Sequence, residues 1–146
     1  ETEKSPTAKV SHHRLHEHFE GIDETIAMSS MYAANHLGAK VVATLTQTGK
    51  TALWMSRISS NIAIFAMSDN YKTLKKVTIY RGVYPCYIDK TSADDWNDVN
   101  SHVIENLEDK SQVEKGDIVI VTKGMHKDKS GGTNLMKILR VGDGNY

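Results

Sequence analysis

Cysteine is nearly missing from this sequence: Cys86 is the only one in 146 residues. No internal disulfide can therefore form, which fits a reducing cytoplasm. Proline is confined to Pro6 and Pro85. No apolar run approaches the roughly 20 residues that a membrane span needs, and no basic-then-apolar leader opens the sequence. Net charge is missing too, because 18 basic and 18 acidic side chains cancel. That balance argues against a broad nucleic-acid surface and leaves only a local basic patch open. The expectation is a cytoplasmic protein with no membrane and no nucleic-acid partner. What remains is ordinary globular material. Charged residues make up 25%, which argues against disorder over most of the length. The chain is long enough for one compact domain with a real core, and no internal repeat divides it.

Residues 1–21 stand apart. They are polar, carry Pro6, and include His12-His13-Arg14-Leu15-His16-Glu17-His18-Phe19. They read as a lead-in segment from a preceding domain, and residues 22–146 as the folded domain. A helix is expected from Asp23, which suits an N-cap, with Glu24 beside it at the positive end of the dipole. Ile22, Ile26, Ala33 and Leu37 recur at helical spacing. Ala27, Ser29, Ser30 and Ala34 are small enough to let the helix lie close on a sheet, and Gly38 supplies a stop.

Strands are expected at residues 40–45, 61–66, 82–88, 118–122 and 135–141. Pro85 marks the third as an edge or a break in the hydrogen-bond ladder. Helices are expected at residues 50–57, from a cap at Ser68 or Asp69 through Leu74, and at residues 92–110. In the last of these, Trp96, Val99, Val103 and Leu107 share a face. Strands alternating with helices predict an α/β three-layer sandwich. The direct step from the fourth strand to the fifth predicts one antiparallel pairing. The sheet should therefore be five-stranded, mixed and mostly parallel.

The stretch Thr44-Leu-Thr-Gln-Thr-Gly-Lys-Thr51 ends as an ATP-binding P-loop does. The glycine that opens a P-loop is replaced by Thr44, within the expected strand, so the motif fails. The fourth strand also ends in Thr122 rather than in an acidic magnesium ligand. The loop still favours an anion. It precedes a helix N-terminus, where amide groups and the dipole attract negative charge. Thr46, Thr48 and Thr51 offer hydroxyls, Gly49 allows close approach, and Lys50 adds positive charge. The competing reading is a threonine-rich loop that caps its own helix.

The sequence contains Ile26-Ala-Met-Ser-Ser-Met-Tyr-Ala-Ala-Asn-His-Leu37, Thr46-Gln-Thr-Gly-Lys-Thr-Ala-Leu53 and Ser56-Arg-Ile-Ser-Ser60. Ile64-Phe-Ala-Met-Ser68, Tyr80-Arg-Gly-Val-Tyr-Pro85, Gly116-Asp-Ile-Val-Ile-Val-Thr-Lys-Gly124 and Gly132-Thr-Asn-Leu-Met-Lys-Ile-Leu139 follow in order. Together these stretches resemble the C-terminal domain of pyruvate kinase, most closely the bacterial type II form activated by AMP and sugar phosphates. The resemblance implies a parent phosphotransferase of glycolysis that moves phosphate from phosphoenolpyruvate to ADP with magnesium and potassium. Its catalytic and metal-binding residues would lie in a TIM barrel that these residues do not include. This chain would then have no catalytic residues, no metal and no cofactor of its own, and would be inactive alone.

In that family the domain is regulatory. A loop of the form Thr-x-Ser-Gly-x-Ser/Thr grips the effector's phosphate, and it maps onto Thr46, Gln47, Thr48, Gly49, Lys50 and Thr51. Thr48 departs from the usual Ser by one methyl, and Gln47 stands where Glu or Lys is frequent. Residues 123–133 resemble the effector-covering loop, with Lys127, Lys129, Ser130, Gly131, Gly132 and Thr133 as candidates. A bisphosphate would be expected to need an arginine near Trp96, where the sequence has His102. That favours a sugar monophosphate or AMP. The resemblance also implies a homotetramer, with the last strand and its Lys137 and Arg140 as a candidate interface. Two other classes stay open: a stand-alone phosphosugar or nucleotide sensor, and a purely structural oligomerisation module.

Other features have blander readings. His12 and His16 would meet on a helix as metal ligands, but no acidic or cysteine ligand beyond Glu17 or Glu20 completes a set, and a linker packed against the rest of the enzyme is the better reading. Cys86 reads as a small buried apolar residue. Asp94 and Asp95 read as dipole complements in a first helical turn. Trp96 reads as core.

Overall fold

The computed structural model describes residues 18–89, 99–124, 132–144 and 146. Among the described residues the elements follow in the order α1 (Ile22–Leu37), β1 (Val41–Leu45), α2 (Lys50–Ser56), β2 (Ala63–Ser68), α3 (Tyr71–Val77), β3 (Val83–Tyr87), α4 (Val99–Asp109), β4 (Ile118–Gly124) and β5 (Thr133–Arg140). The five strands form one sheet in the order β3-β2-β1-β4-β5. β1 pairs in parallel with β2 and β4, and β2 with β3. β4 and β5 are antiparallel. The mixed, mostly parallel sheet expected from the order of elements is the one observed.

Strand alternation divides the core. Val41, Ala43, Leu45, Phe65, Met67, Val119 and Val121 face α4, whose Val99, Val103, Ile104 and Leu107 are buried against them. Val42, Ile64, Ala66 and Ile120 face the other way, onto Ala27, Met31 and Ala34 of α1 and Ala52 and Met55 of α2. Helices on both faces are what continuous apolar strands require. β1 is buried at all five positions. The edge strand β3 is only partly covered: Val83 and Cys86 are buried, Tyr84, Pro85 and Tyr87 are exposed, and Pro85 stands on a ladder that needs only one neighbour.

The face that α1 buries is not the one its large residues suggest. Ile22 and Leu37 are exposed, at 69% and 47%, while Ala27, Ser30, Met31 and Ala34 are fully buried. A helix lying across the sheet gains more from the close approach that small side chains allow than from turning two branched ones inward. Asp23 is also not the N-cap. Gly21 occupies that position, and Asp23 is a buried member of the first turn. Gly38 ends the helix in the left-handed region, as expected.

Further along, β2 begins and ends two residues later than its apolar run implied, because Ile62 leads into the strand rather than pairing within it. The cap of α3 is Asn70, whose side chain accepts from the Lys72 amide. β4 runs on through Gly124, so Lys123 and Gly124 belong to the sheet rather than to the loop. Cys86 is buried, as its setting in a strand implied. Residues 1–17, Trp96, Asp94 and Asp95 lie outside the described residues.

The tight seat of α1 has a measurable consequence. Ala34→Leu should destabilise the fold by about 1–3 kcal/mol through overpacking. Leu37→Ala, on the outer face, should change it by less than about 0.5 kcal/mol. Urea unfolding followed by circular dichroism checks both.

Candidate effector-phosphate site

Each of α1, α2, α3 and α4 precedes a parallel strand and runs back against it, so the helix N-termini gather at the carboxyl edge of the sheet. The loop of residues 46–49 leaves the central strand at that edge. Thr46 continues the ladder for one more bond, its amide donating to Met67 O at 3.0 Å. The chain then turns sharply. Thr46 Oγ1 accepts from the Gly49 amide at 2.9 Å, and Thr48 Oγ1 accepts from the Lys50 amide at 3.4 Å. Both hydroxyls act as acceptors here, so each keeps its own hydrogen to donate.

Gly49 is required where it stands. Its φ is +80°, and a Cβ there would meet Val77 Cγ1 at 2.8 Å. α3 supports the loop from the side. Thr73 Oγ1 donates to Gln47 O, and Lys76 Nζ donates to Thr48 O at 3.1 Å. The carbonyls of the loop are thereby turned toward α3.

The two halves of the candidate set meet at one bond. Thr51 Oγ1 and Thr133 Oγ1 lie 2.8 Å apart in a buried contact, joining the first turn of α2 to the first residue of β5. Gly132 is pressed against Gly124, where a Cβ would come within 2.6 Å of Gly132 O. Lys127, Lys129, Ser130 and Gly131 lie outside the described residues.

Lys50 points elsewhere. Its Nζ lies 3.2 Å from Asp23 Oδ2 on α1, in an ion pair whose carboxylate is buried and whose lysine is half exposed. That oxygen has no hydrogen bond of good geometry, so charge alone makes the contact. His102 sits on α4 with Glu105 Oε2 at 3.9 Å.

Sequence reasoning missed Asp23, Thr73 and Lys76 as neighbours of this loop. Asp23 had a signal, since an acidic residue precedes the buried positions Ala27 and Met31 by helical spacing. Thr73 and Lys76 carried none, because only the parallel packing of β1 beside β2 brings α3 to the loop. The P-loop reading is ruled out by position: Thr44 is a buried residue of β1. Among the described residues no three His, Cys, Asp or Glu side chains cluster as metal ligands.

The strand-turn-helix loop and its bond to β5 sit on a sheet of order β3-β2-β1-β4-β5, and the family model for the pyruvate kinase alpha/beta domain matches residues 24–139. The chain belongs to this family. It is 49% identical over 140 residues to a pyruvate kinase of Buchnera aphidicola from Schizaphis graminum. It is 46% identical, over the same length, to pyruvate kinase II of Salmonella typhimurium. In both cases 95% of this chain is covered but 29% of the relative. A Haemophilus influenzae pyruvate kinase is 45% identical over 84% of this chain. The chain thus spans under a third of the length of the pyruvate kinases it matches.

Two experiments test the geometry of this pyruvate kinase domain. Gly49→Ala should cost about 1–3 kcal/mol, from the left-handed backbone and the contact with Val77. A double-mutant cycle of Thr51→Val and Thr133→Val should return a coupling of about 1 kcal/mol. Both are read from denaturant midpoints.

Proposed function

We propose that this chain is the regulatory part of a pyruvate kinase and binds a phosphorylated small molecule at Thr46, Gln47, Thr48, Gly49, Lys50 and Thr51. The observation that carries the reading is the Thr51–Thr133 hydroxyl contact. It ties a threonine-rich helix start to the foot of the segment bearing Lys127, Lys129, Ser130, Gly131 and Gly132. An anion held by the first could be covered by the second. A sugar monophosphate or AMP is preferred to a bisphosphate, because α4 offers His102, already beside Glu105, rather than an arginine.

The parent enzyme would convert phosphoenolpyruvate and ADP to pyruvate and ATP in the cytoplasm, using magnesium and potassium. Those ions would be held elsewhere in the enzyme. Among the described residues no helix is long and apolar enough to cross a membrane. Assembly into a homotetramer would use β5, whose outer edge has no strand neighbour among the described residues and whose Ile138 is 47% exposed.

A second reading, a structural oligomerisation module with an idle loop, draws on the same edge strand and on the way Thr46 and Thr48 cap their own turn.

Thermal unfolding with ribose 5-phosphate, glucose 6-phosphate, fructose bisphosphate and AMP separates the two. A ligand at a hundred times its Kd should stabilise the chain by about 2.7 kcal/mol, and Lys50→Ala with Thr51→Ala should remove the shift. No shift with any of the four at millimolar concentration favours the structural module. With phosphoenolpyruvate, ADP and magnesium the chain alone should show no turnover. Activity that persists through purification would overturn that expectation.

A further inference from the structure

We propose that Asp23 gates the effector loop: its buried carboxylate holds the Lys50 ammonium on α1, and an arriving phosphate must draw that ammonium away. The inference rests on residues 46–51 being the phosphate loop.

The loop of residues 46–51 contains one cation, Lys50, at the first position of α2. Its Nζ is committed 3.2 Å from Asp23 Oδ2. Asp23 is 7% exposed, and Oδ2 accepts no hydrogen bond, so the carboxylate depends on the charge opposite. A buried carboxylate is costly to leave without its partner. A phosphate entering the loop brings nearly two negative charges and competes for the same ammonium. The free domain therefore resists anion binding by the strength of the Asp23–Lys50 pair.

The pair also links the loop to the start of the domain. Asp23 lies in the first turn of α1, where the Glu20 amide donates to Glu24 Oε2 at 3.1 Å and Thr25 Oγ1 donates to Gly21 O at 2.9 Å. Withdrawing Lys50 leaves Asp23 facing both burial and a nearby dianion, which loosens that turn. Linkage is reciprocal: whatever holds the start of α1 in place alters affinity at the loop by the same factor.

The test uses calorimetric titration of the 146-residue chain with inorganic phosphate and with ribose 5-phosphate. Asp23→Asn removes the charge and keeps the shape. It should bind each probe at least about fivefold more tightly, the lower end of ordinary coupling between sites. Lys50→Met should weaken binding, and adding Asp23→Asn to Lys50→Met should restore nothing. A gain of equal size in the Lys50→Met background would mean only that a negative charge had been removed near an anion, and would overturn the gate. Unchanged affinity in Asp23→Asn overturns it too. Circular dichroism melts establish that each variant folds, and Asp23→Ser carries the same expectation should Asp23→Asn fail to. If neither the native chain nor any Asp23 variant binds either probe, the phosphate-loop reading itself fails and the gate with it.

Discussion

β1 has a strand on each edge and helices on each face, and its position fixes nearly everything that matters here. All five of its residues are buried. Its register is set twice, by Val41 opposite Ala63 on one side and opposite Val119 on the other. A strand so confined cannot slip, because a shift of one residue would exchange Val41, Ala43 and Leu45 for Val42 and Thr44 on the α4 face. The place where β1 ends is therefore rigid, and the turn at residues 46–49 inherits that rigidity. Parallel neighbours then bring α3 alongside, so that Thr73 and Lys76 can hold the carbonyls of Gln47 and Thr48.

The architecture was legible because period and order are local properties. The apolar runs at 40–45 and 118–122 have the length of buried strands, and the direct step from the fourth strand to the fifth favoured an antiparallel pair. Pro85 marked an edge or a break in the ladder, and β3 is an edge. Side-chain direction was less legible. The large residues of α1 suggested a core face through Ile22 and Leu37, whereas the helix turns its alanines inward. The small residues Ala27, Ser30 and Ala34 did mark a close seat on a sheet, as they are buried there, but their weak hydrophobic signal did not outweigh the branched side chains. Asp23 was misread for a related reason: a first-turn carboxylate resembles a cap until its partner, far along the sequence, is seen to be Lys50.

The candidate site shows the same division. The stretch 46–51 is compact in sequence, so its character as a turn before a helix could be read directly. Its connections could not. Thr51 and Thr133 are 82 positions apart, and nothing in either neighbourhood names the other. Membership of the pyruvate kinase alpha/beta-domain family follows from many ordered stretches at once. The network around the loop follows from the fold.

The hairpin of β4 and β5 is pinned where the two strands connect by the contact of Gly124 with Gly132 and by the Thr133 hydroxyl. With both feet fixed by contacts outside the intervening segment, the entropy of closing that segment changes only slowly with its length. A change in the length of the connection between Gly124 and Gly132 should therefore cost little in closure entropy. The register of β4 against β5 is thus held by its flanks, so that sequence change between the two strands is insulated from the pairing that carries the sheet.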